Sequence, residues 1–175
     1  MRKVKTTSLN EWVSLVETLF KGASYFHLKV HDYVTCIAIS DDGKVPLVIQ
    51  QRPLLCRRSI ELPGGLVDLE MSPLEIARKE LEEEVGIESA NLLYSSQPFI
   101  LDPGRIENKT WIFVFDHSVR DLKNSEPEIQ VIWVSVLELI EMALTSRIDH
   151  LGHVAAILMC KQLGFFDKYL SGLNS

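Results

Sequence analysis

Between residues 8 and 20 the apolar side chains Leu9, Trp12, Val13, Val16, Leu19 and Phe20 recur at the spacing of one helical stripe. That pattern predicts a short amphipathic helix, an N-terminal helical segment within residues 1–20. From residue 25 to residue 40 the chain becomes β-rich and ends in the apolar run Cys36-Ile37-Ala38-Ile39. Asp41-Asp42-Gly43-Lys44 reads as a hairpin turn into a second strand over residues 47–50. Pro46 has no N–H to give to a ladder, so this strand is expected to start irregularly or lie near an edge. Residues 52–58 form a polar, proline-containing excursion. A short strand Ile60-Glu61-Leu62 follows and is stopped by Pro63-Gly64-Gly65.

The next signals are helical. Ser72 before Pro73, with Glu75 three residues on, is a capping-box start. Leu74, Ala77, Leu81 and Val85 keep the helical period towards the core, and Gly86 stops the helix after Val85. Further strands are predicted at residues 92–100, 110–115 and 129–134, then helices at 135–144 and 150–165. Strands, one helix, strands and two helices imply an α/β fold, a mixed β-sheet covered on both faces as an α/β/α sandwich. No repeat, low-complexity tract or linker divides the chain, so residues 1–175 read as a single domain.

Composition narrows the functions. The chain has 175 residues, 46% hydrophobic and 24% charged, which suits one soluble globular core. A formal charge of −6 disfavours nucleic-acid and anionic-membrane partners. It does not disfavour a small anionic ligand, because a bound metal reverses the local sign. Cys36, Cys56 and Cys160 lack metal-ligand spacing and read as reduced thiols in a cytoplasmic protein. Arg2, Lys3 and Lys5 resemble a signal-peptide start, but Asn10, Glu11 and Glu17 interrupt any apolar core behind them. The apolar run from Val154 to Cys160 is too short to span a bilayer. His150 and His153 read as structural or surface residues.

The chemistry concentrates between Gly64 and Ile87. Helical spacing places Glu80, Glu83 and Glu84 on one face, with Glu82 pointing elsewhere. A lone acidic face is most often just solvated. Here the like charges repel by about 0.2–0.5 kcal/mol per i,i+4 pair, and they lie near a helix C-terminus, against the macrodipole. A hard cation with oxygen ligands relieves both, and the preceding Gly-Gly turn lets backbone carbonyls approach such an ion.

This stretch resembles the Nudix hydrolase signature, G-x5-E-x7-R-E-U-x-E-E-x-G-U with U aliphatic. Over residues 65–87 the match reads Gly65, Met71, Lys79, Glu80, Leu81, Glu83, Glu84, Gly86 and Ile87, with seven of nine defined positions in agreement. The resemblance implies that Glu80 and Glu84 hold Mg²⁺, with Mn²⁺ as a substitute, that Glu83 often joins them, and that the Gly64 carbonyl completes the inner shell. Met71 replaces the first glutamate of the signature and Lys79 its arginine, which alters the usual brace while every implied ligand is retained. Glu70 and Arg78, one residue earlier, are candidate partial substitutes.

Three features beyond the signature resemble the ADP-ribose and nucleoside diphosphate sugar pyrophosphatases of that family. Pro103 lies sixteen residues after Ile87, within Asp102-Pro103-Gly104. Gln50-Gln51-Arg52-Pro53 precedes the run from Ile60 to Asp68, and a guanidinium at Arg52 suits bidentate contact with a phosphate. Gly104 and Arg105 join Arg52 and Pro103 as candidate substrate contacts. Glu126 and Glu128, on either side of Pro127, precede the strand carrying Trp133. By resemblance Glu128 is the better match to the general base and Glu126 the runner-up. Glu83 and Glu84 complete the implied catalytic set.

Ser96-Gln97-Pro98-Phe99 is similar to a run in NADH pyrophosphatases, which keeps NADH or another dinucleotide open as substrate. Met71 and Lys79 keep open a nucleotide-sugar sensor that binds without cleaving. The implied partner is a small-molecule nucleotide sugar. Related enzymes are often dimers, which makes a homodimer one expected assembly.

Overall fold

The computed structural model describes residues 2–67, 70–118, 126 and 128–171. Asp68 and Pro127 lie outside the described residues.

The N-terminal segment is a β-hairpin, not the expected helix. Strands β1 (Arg2–Ser8) and β2 (Val13–Phe20) pair antiparallel. The Asn10 side chain accepts from the N–H groups of Trp12 and Val13 at 2.9 and 2.8 Å, which closes the turn between them. In β2 burial follows alternation: Val16 and Thr18 are buried while the residues between and beside them are less so. The apolar spacing that mimicked a helical stripe therefore serves a strand rich in β-branched residues. Strand β3 (Ala23–Val30) continues this sheet, and β4 (Tyr33–Ser40) begins after a two-residue break.

The Ser40–Lys44 turn forms, with the Gly43 N–H bonded to the Ser40 carbonyl at 2.9 Å and Gly43 at φ 75°. Its strands do not make a hairpin. β4 pairs parallel with β9 (Thr110–His117), while β5 (Lys44–Arg52) pairs antiparallel with β10 (Gln130–Ser135) and β6 (Arg57–Glu61). Pro46 lies opposite Trp133 of β10, where β6, which reaches only to Val48, does not flank the strand. The missing N–H is thereby accommodated, as its edge-like reading requires. Strand β7 (Asn91–Ser95) is shorter than expected because Pro98 interrupts the run, and Phe99 makes only an isolated bridge to Thr110. A short strand β8 (Ile106–Glu107) pairs with β3.

The sandwich is built by alternation along β4 and β9. Val34, Cys36, Ala38, Phe113 and Phe115 pack with Ile76, Ala77 and Leu81 of the helix after the Gly-Gly turn. Ile37, Ile39, Ile112 and Val114 point the other way, against helices α2 (Val136–Leu144) and α3 (Leu151–Gln162). A last helical turn, α4 (Asp167–Leu170), follows Phe166, which is fully buried. The fold is α/β, with mixed sheets between helices. Among the described residues no helix is long and apolar enough to cross a membrane.

Helix α1 (Pro73–Glu80) starts as its sequence dictates: Ser72 accepts from the Glu75 N–H, and the Glu75 side chain accepts from the Ser72 N–H at 2.7 Å. Its end differs from the expected α-helix. Leu81–Val85 widens into a π-type turn, closed by Gly86 at φ 81°. Such turns inside helices often mark functional positions.

A candidate metal-dependent active site

The site is assembled where the Pro63-Gly64-Gly65 turn leaves β6 and lies along β4. The Cys36 and Val34 N–H groups bond to the carbonyls of Pro63 and Gly65 at 2.8 and 2.9 Å, so the turn continues the sheet. Gly64 sits between these bonds with both its polar atoms engaged. Its N–H donates to Glu84 Oε2 at 2.9 Å, and its carbonyl accepts from the Tyr33 hydroxyl at 3.0 Å. A β-carbon at Gly64 would strike the Val34 carbonyl oxygen, and one at Gly65 would strike the Glu80 carboxylate. Gly64 is therefore required by close approach of the backbone, and Gly65 leaves the space that the Glu80 carboxylate occupies.

The π-type turn divides the expected acidic face. Glu84 turns inward and is 4% exposed. Burial above all, with Glu80, Glu126 and Glu61 adding to it against the Gly64 hydrogen bond, pushes its carboxyl up to about 8. Burial and the charge of Glu83 push Glu80 up to about 6, with Lys79 opposing and Glu126 adding. Glu83 is half-buried and pairs with Lys79 at 3.2 Å, an i,i+4 contact open to solvent. Glu80 and Glu84 are thus brought together on the Gly-Gly turn, while Glu83 stands at its rim.

Among the described residues no three His, Cys, Asp or Glu side chains are gathered as a metal cage. What is gathered is one buried carboxylate, Glu84, and one half-buried carboxylate, Glu80, at the Gly64–Gly65 backbone. That is an all-oxygen donor set, and its crowded negative charge calls for a hard divalent cation. The residues present fit Mg²⁺.

The neighbouring residues follow a different plan from the one expected. Arg52 is committed to Glu61: its Nε and Nη2 bond to the two carboxylate oxygens at 2.8 and 2.7 Å. Burial acts to raise Glu61, which is 4% exposed, but the Arg52 hydrogen bonds and charge outweigh it and hold the carboxyl below its ordinary value. Any phosphate contact by Arg52 has to use its remaining N–H groups. Met71 packs against the α1 side of the core. Arg78 bonds to the Ala90 carbonyl at 2.7 Å and lies over the Phe115 ring, so it braces the loop after the helix.

Pro103 and Arg105 line a separate cavity of about 400 Å³ with Thr18, Tyr25, His27 and Glu107; among the described residues none of the three acids of the helix lines it. Gly104 is the backbone anchor of that loop: its N–H bonds to Asp102 at 2.8 Å, and its carbonyl accepts from the Tyr25 hydroxyl. The Arg105 guanidinium lies over the Tyr25 ring at 5.4 Å. Glu128 is exposed, whereas Glu126 is half-buried and is one of the charges felt by both Glu80 and Glu84.

Three participants were not singled out by the sequence reading: Tyr33, Glu61 and the orienting role of His153. His153 is fully buried in α3, accepts from the Leu62 N–H on Nδ1 at 3.1 Å, and stacks on His150 at 4.1 Å and on Tyr33 at 6.5 Å. Burial, then His150, holds it down to about 3. Its structural role agrees with expectation. Glu61 lies in the run Ile60-Glu61-Leu62 before the glycines, but only the fold reveals its burial against Arg52.

A family model described as NUDIX domain matches residues 29–154. The chain is 32% identical over 106 residues to "ADP-ribose pyrophosphatase" of Bacillus subtilis (strain 168), covering 60% of this chain and 56% of that protein. It is 41% identical over 58 residues to "ADP-ribose pyrophosphatase" of Mycobacterium tuberculosis (strain ATCC 25618 / H37Rv), covering 33% and 28%. It is 28% identical over 141 residues to "Putative nudix hydrolase 2" of Caenorhabditis elegans, covering 77% and 63%. The chain therefore spans less than two thirds of the length of these curated relatives.

Proposed function

The chain belongs to the Nudix family, and on that premise we propose that it is a Mg²⁺-dependent hydrolase of ADP-ribose or a related nucleoside diphosphate sugar. The observation that carries this reading is the pair of carboxylates at the Gly64–Gly65 turn, with buried Glu84 bonded to the Gly64 N–H and half-buried Glu80 packed against Gly65. The relatives named ADP-ribose pyrophosphatase support the substrate class.

The Gly64 carbonyl, Glu80 and Glu84 would hold the ion, with Glu83 at the rim. When bound, Mg²⁺ neutralises phosphate oxygens and lowers the pKa of a coordinated water. The protein's own residues supply the remaining steps. Water attacks one phosphorus of the pyrophosphate, the bond from that phosphorus to the bridging oxygen breaks, and the proton passes to a carboxylate. We propose Glu126 first for that proton and Glu128, the better match by resemblance, second, because the charge of Glu126 is felt by both Glu80 and Glu84. With ADP-ribose the products are AMP and ribose 5-phosphate. Arg52 offers its free N–H groups to a phosphate, and Pro103, Gly104 and Arg105 shape the cavity for another part of the substrate.

We place this activity in a single domain in the cytoplasm; the unpaired Cys36, Cys56 and Cys160 support a reducing compartment. A homodimer is the proposed assembly, supported by exposed Leu19, Phe20, Phe26 and Leu28 on the N-terminal sheet. The test is incubation with Mg²⁺ and a panel of ADP-ribose, sugar nucleotides and NADH, with the products identified. AMP with ribose 5-phosphate is the expected result. NADH cleavage alone would move the substrate to a dinucleotide, and binding without product would make the protein a nucleotide-sugar sensor.

A further inference from the structure

Gly64 has both polar atoms held, but by partners of different kinds. Its N–H is fixed by Glu84, an acid that itself belongs to the site. Its carbonyl is fixed by Tyr33, a residue with no other part in the chemistry. A carbonyl oxygen has two lone pairs. The Tyr33 hydroxyl, at 3.0 Å, takes one and leaves the other free, so the hydroxyl decides where the free one points.

Tyr33 is well fixed for that task. It is the first residue of β4, its N–H bonds to the Lys109 carbonyl at 2.9 Å, and it forms an isolated antiparallel bridge with Leu66. Its ring stacks on His153 with an interplanar angle of 24°, and His153 is itself tied to the Leu62 backbone. The backbone on both sides of the Gly-Gly turn and the ring between them thus form one rigid support. A carbonyl in a turn is otherwise free to rock, and a donor fixed by independent contacts removes that freedom.

We propose that Tyr33 is a positioning residue, whose hydroxyl aims the Gly64 carbonyl at the divalent cation held by Glu80 and Glu84. This rests on the metal-dependent reading above. Tyr33 acts through the Gly64 carbonyl in this reading, so its loss is expected to lower cation affinity.

The test compares Tyr33→Phe with Tyr169→Phe, which removes a hydrogen bond of the same type and length, from the Tyr169 hydroxyl to the Ser40 carbonyl at 3.0 Å, away from the site. Mn²⁺ binding is measured by electron paramagnetic resonance without substrate. Tyr33→Phe is expected to raise the Mn²⁺ dissociation constant about tenfold and Tyr169→Phe to leave it unchanged. Turnover by Tyr33→Phe is expected to recover towards the wild-type value at saturating Mg²⁺, a response that simple loss of folding does not give.

If Tyr33→Phe does not fold, wild-type protein carrying 3-fluorotyrosine at its four tyrosines serves instead. The ¹⁹F resonance left unassigned by the Tyr25→Phe, Tyr94→Phe and Tyr169→Phe variants should shift with Mg²⁺. An unmoved resonance, wild-type affinity in Tyr33→Phe, or equal losses in both variants would overturn the proposal. Failure of the wild type to bind Mn²⁺ at all would overturn the metal reading, and this inference with it.

Discussion

The Glu80 carboxylate fills the space that a β-carbon on Gly65 would take. One residue earlier in the same loop, the β-carbon missing from Gly64 would fall on the Val34 carbonyl oxygen. The two contacts look alike and differ in what can yield. A carboxylate at the end of a flexible side chain moves cheaply, whereas a strand carbonyl bonded into the sheet does not.

Gly65→Ala is therefore expected to fold with a melting temperature close to that of the wild type and to lose Mn²⁺ affinity, because Glu80 is displaced. Gly64→Ala is expected to lose about 2 kcal/mol or more of stability, in the range of severe packing and backbone conflicts. Thermal melts beside metal titrations check both. Equal loss of stability in the two variants would contradict the distinction.

Glu84→Gln separates stability from activity. In the metal-free protein the buried carboxyl, raised from 4.5 to about 8, keeps a proton that the unfolded chain has lost. Its contribution is fully present below pH 4.5 and is lost as pH rises through 8. Glutamine has no proton to lose. Urea unfolding in EDTA should show the wild type losing more stability than the variant between pH 6 and pH 9, while Mg²⁺-dependent turnover of the variant falls by about 100-fold or more.

The buried imidazole of His153 predicts an acid-side dependence of the opposite sign. Its folded value of about 3 lies below its ordinary 6.5, so the unfolded state takes up the proton first. The stability it contributes is complete above pH 6.5 and declines as pH falls towards 3. Two-dimensional ¹⁵N spectra at pH 5 should find His153 neutral with the proton on Nε2, since Nδ1 accepts from Leu62. A protonated ring at that pH would contradict the packing.

Arg52 and Glu61 should behave as one unit. A double-mutant cycle of Arg52→Ala and Glu61→Ala is expected to give a coupling of about 1–2 kcal/mol in stability, since the pair is bidentate but Arg52 is partly exposed. Each single variant should be less stable than additivity allows from the double. Independent effects would leave Arg52 free for substrate alone.

Glu126→Gln is expected to lower kcat by about 10²-fold, within the range for a general base, and Glu128→Gln by much less. Steady-state kinetics at saturating Mg²⁺ decide the order. The reverse ranking would return the proton to Glu128.

The sequence by itself determined what depends on near neighbours. Ser72, Pro73 and Glu75 start the helix through contacts within one turn, Gly86 ends it, and the spacing from Gly65 to Ile87 carries the family and its acids. Alternation in β4 and β9 was legible as apolar runs, enough for the sandwich. Tertiary structure decided everything that required a distant partner. The apolar spacing of residues 8–20 suits a helix as well as a strand, and only pairing with β1 and β3 selects the strand. The Asp41–Lys44 turn is encoded locally, yet β4 and β5 separate because each finds a longer ladder with β9 and β10. The acids were visible as three on one face. The π-type turn and the packing behind Gly64 buried Glu84, set half-buried Glu80 against Gly65, left Glu83 paired with Lys79, and brought Tyr33 and Glu61 beside them. Burial and long-range hydrogen bonds set their charge, and neither is a property of a segment alone.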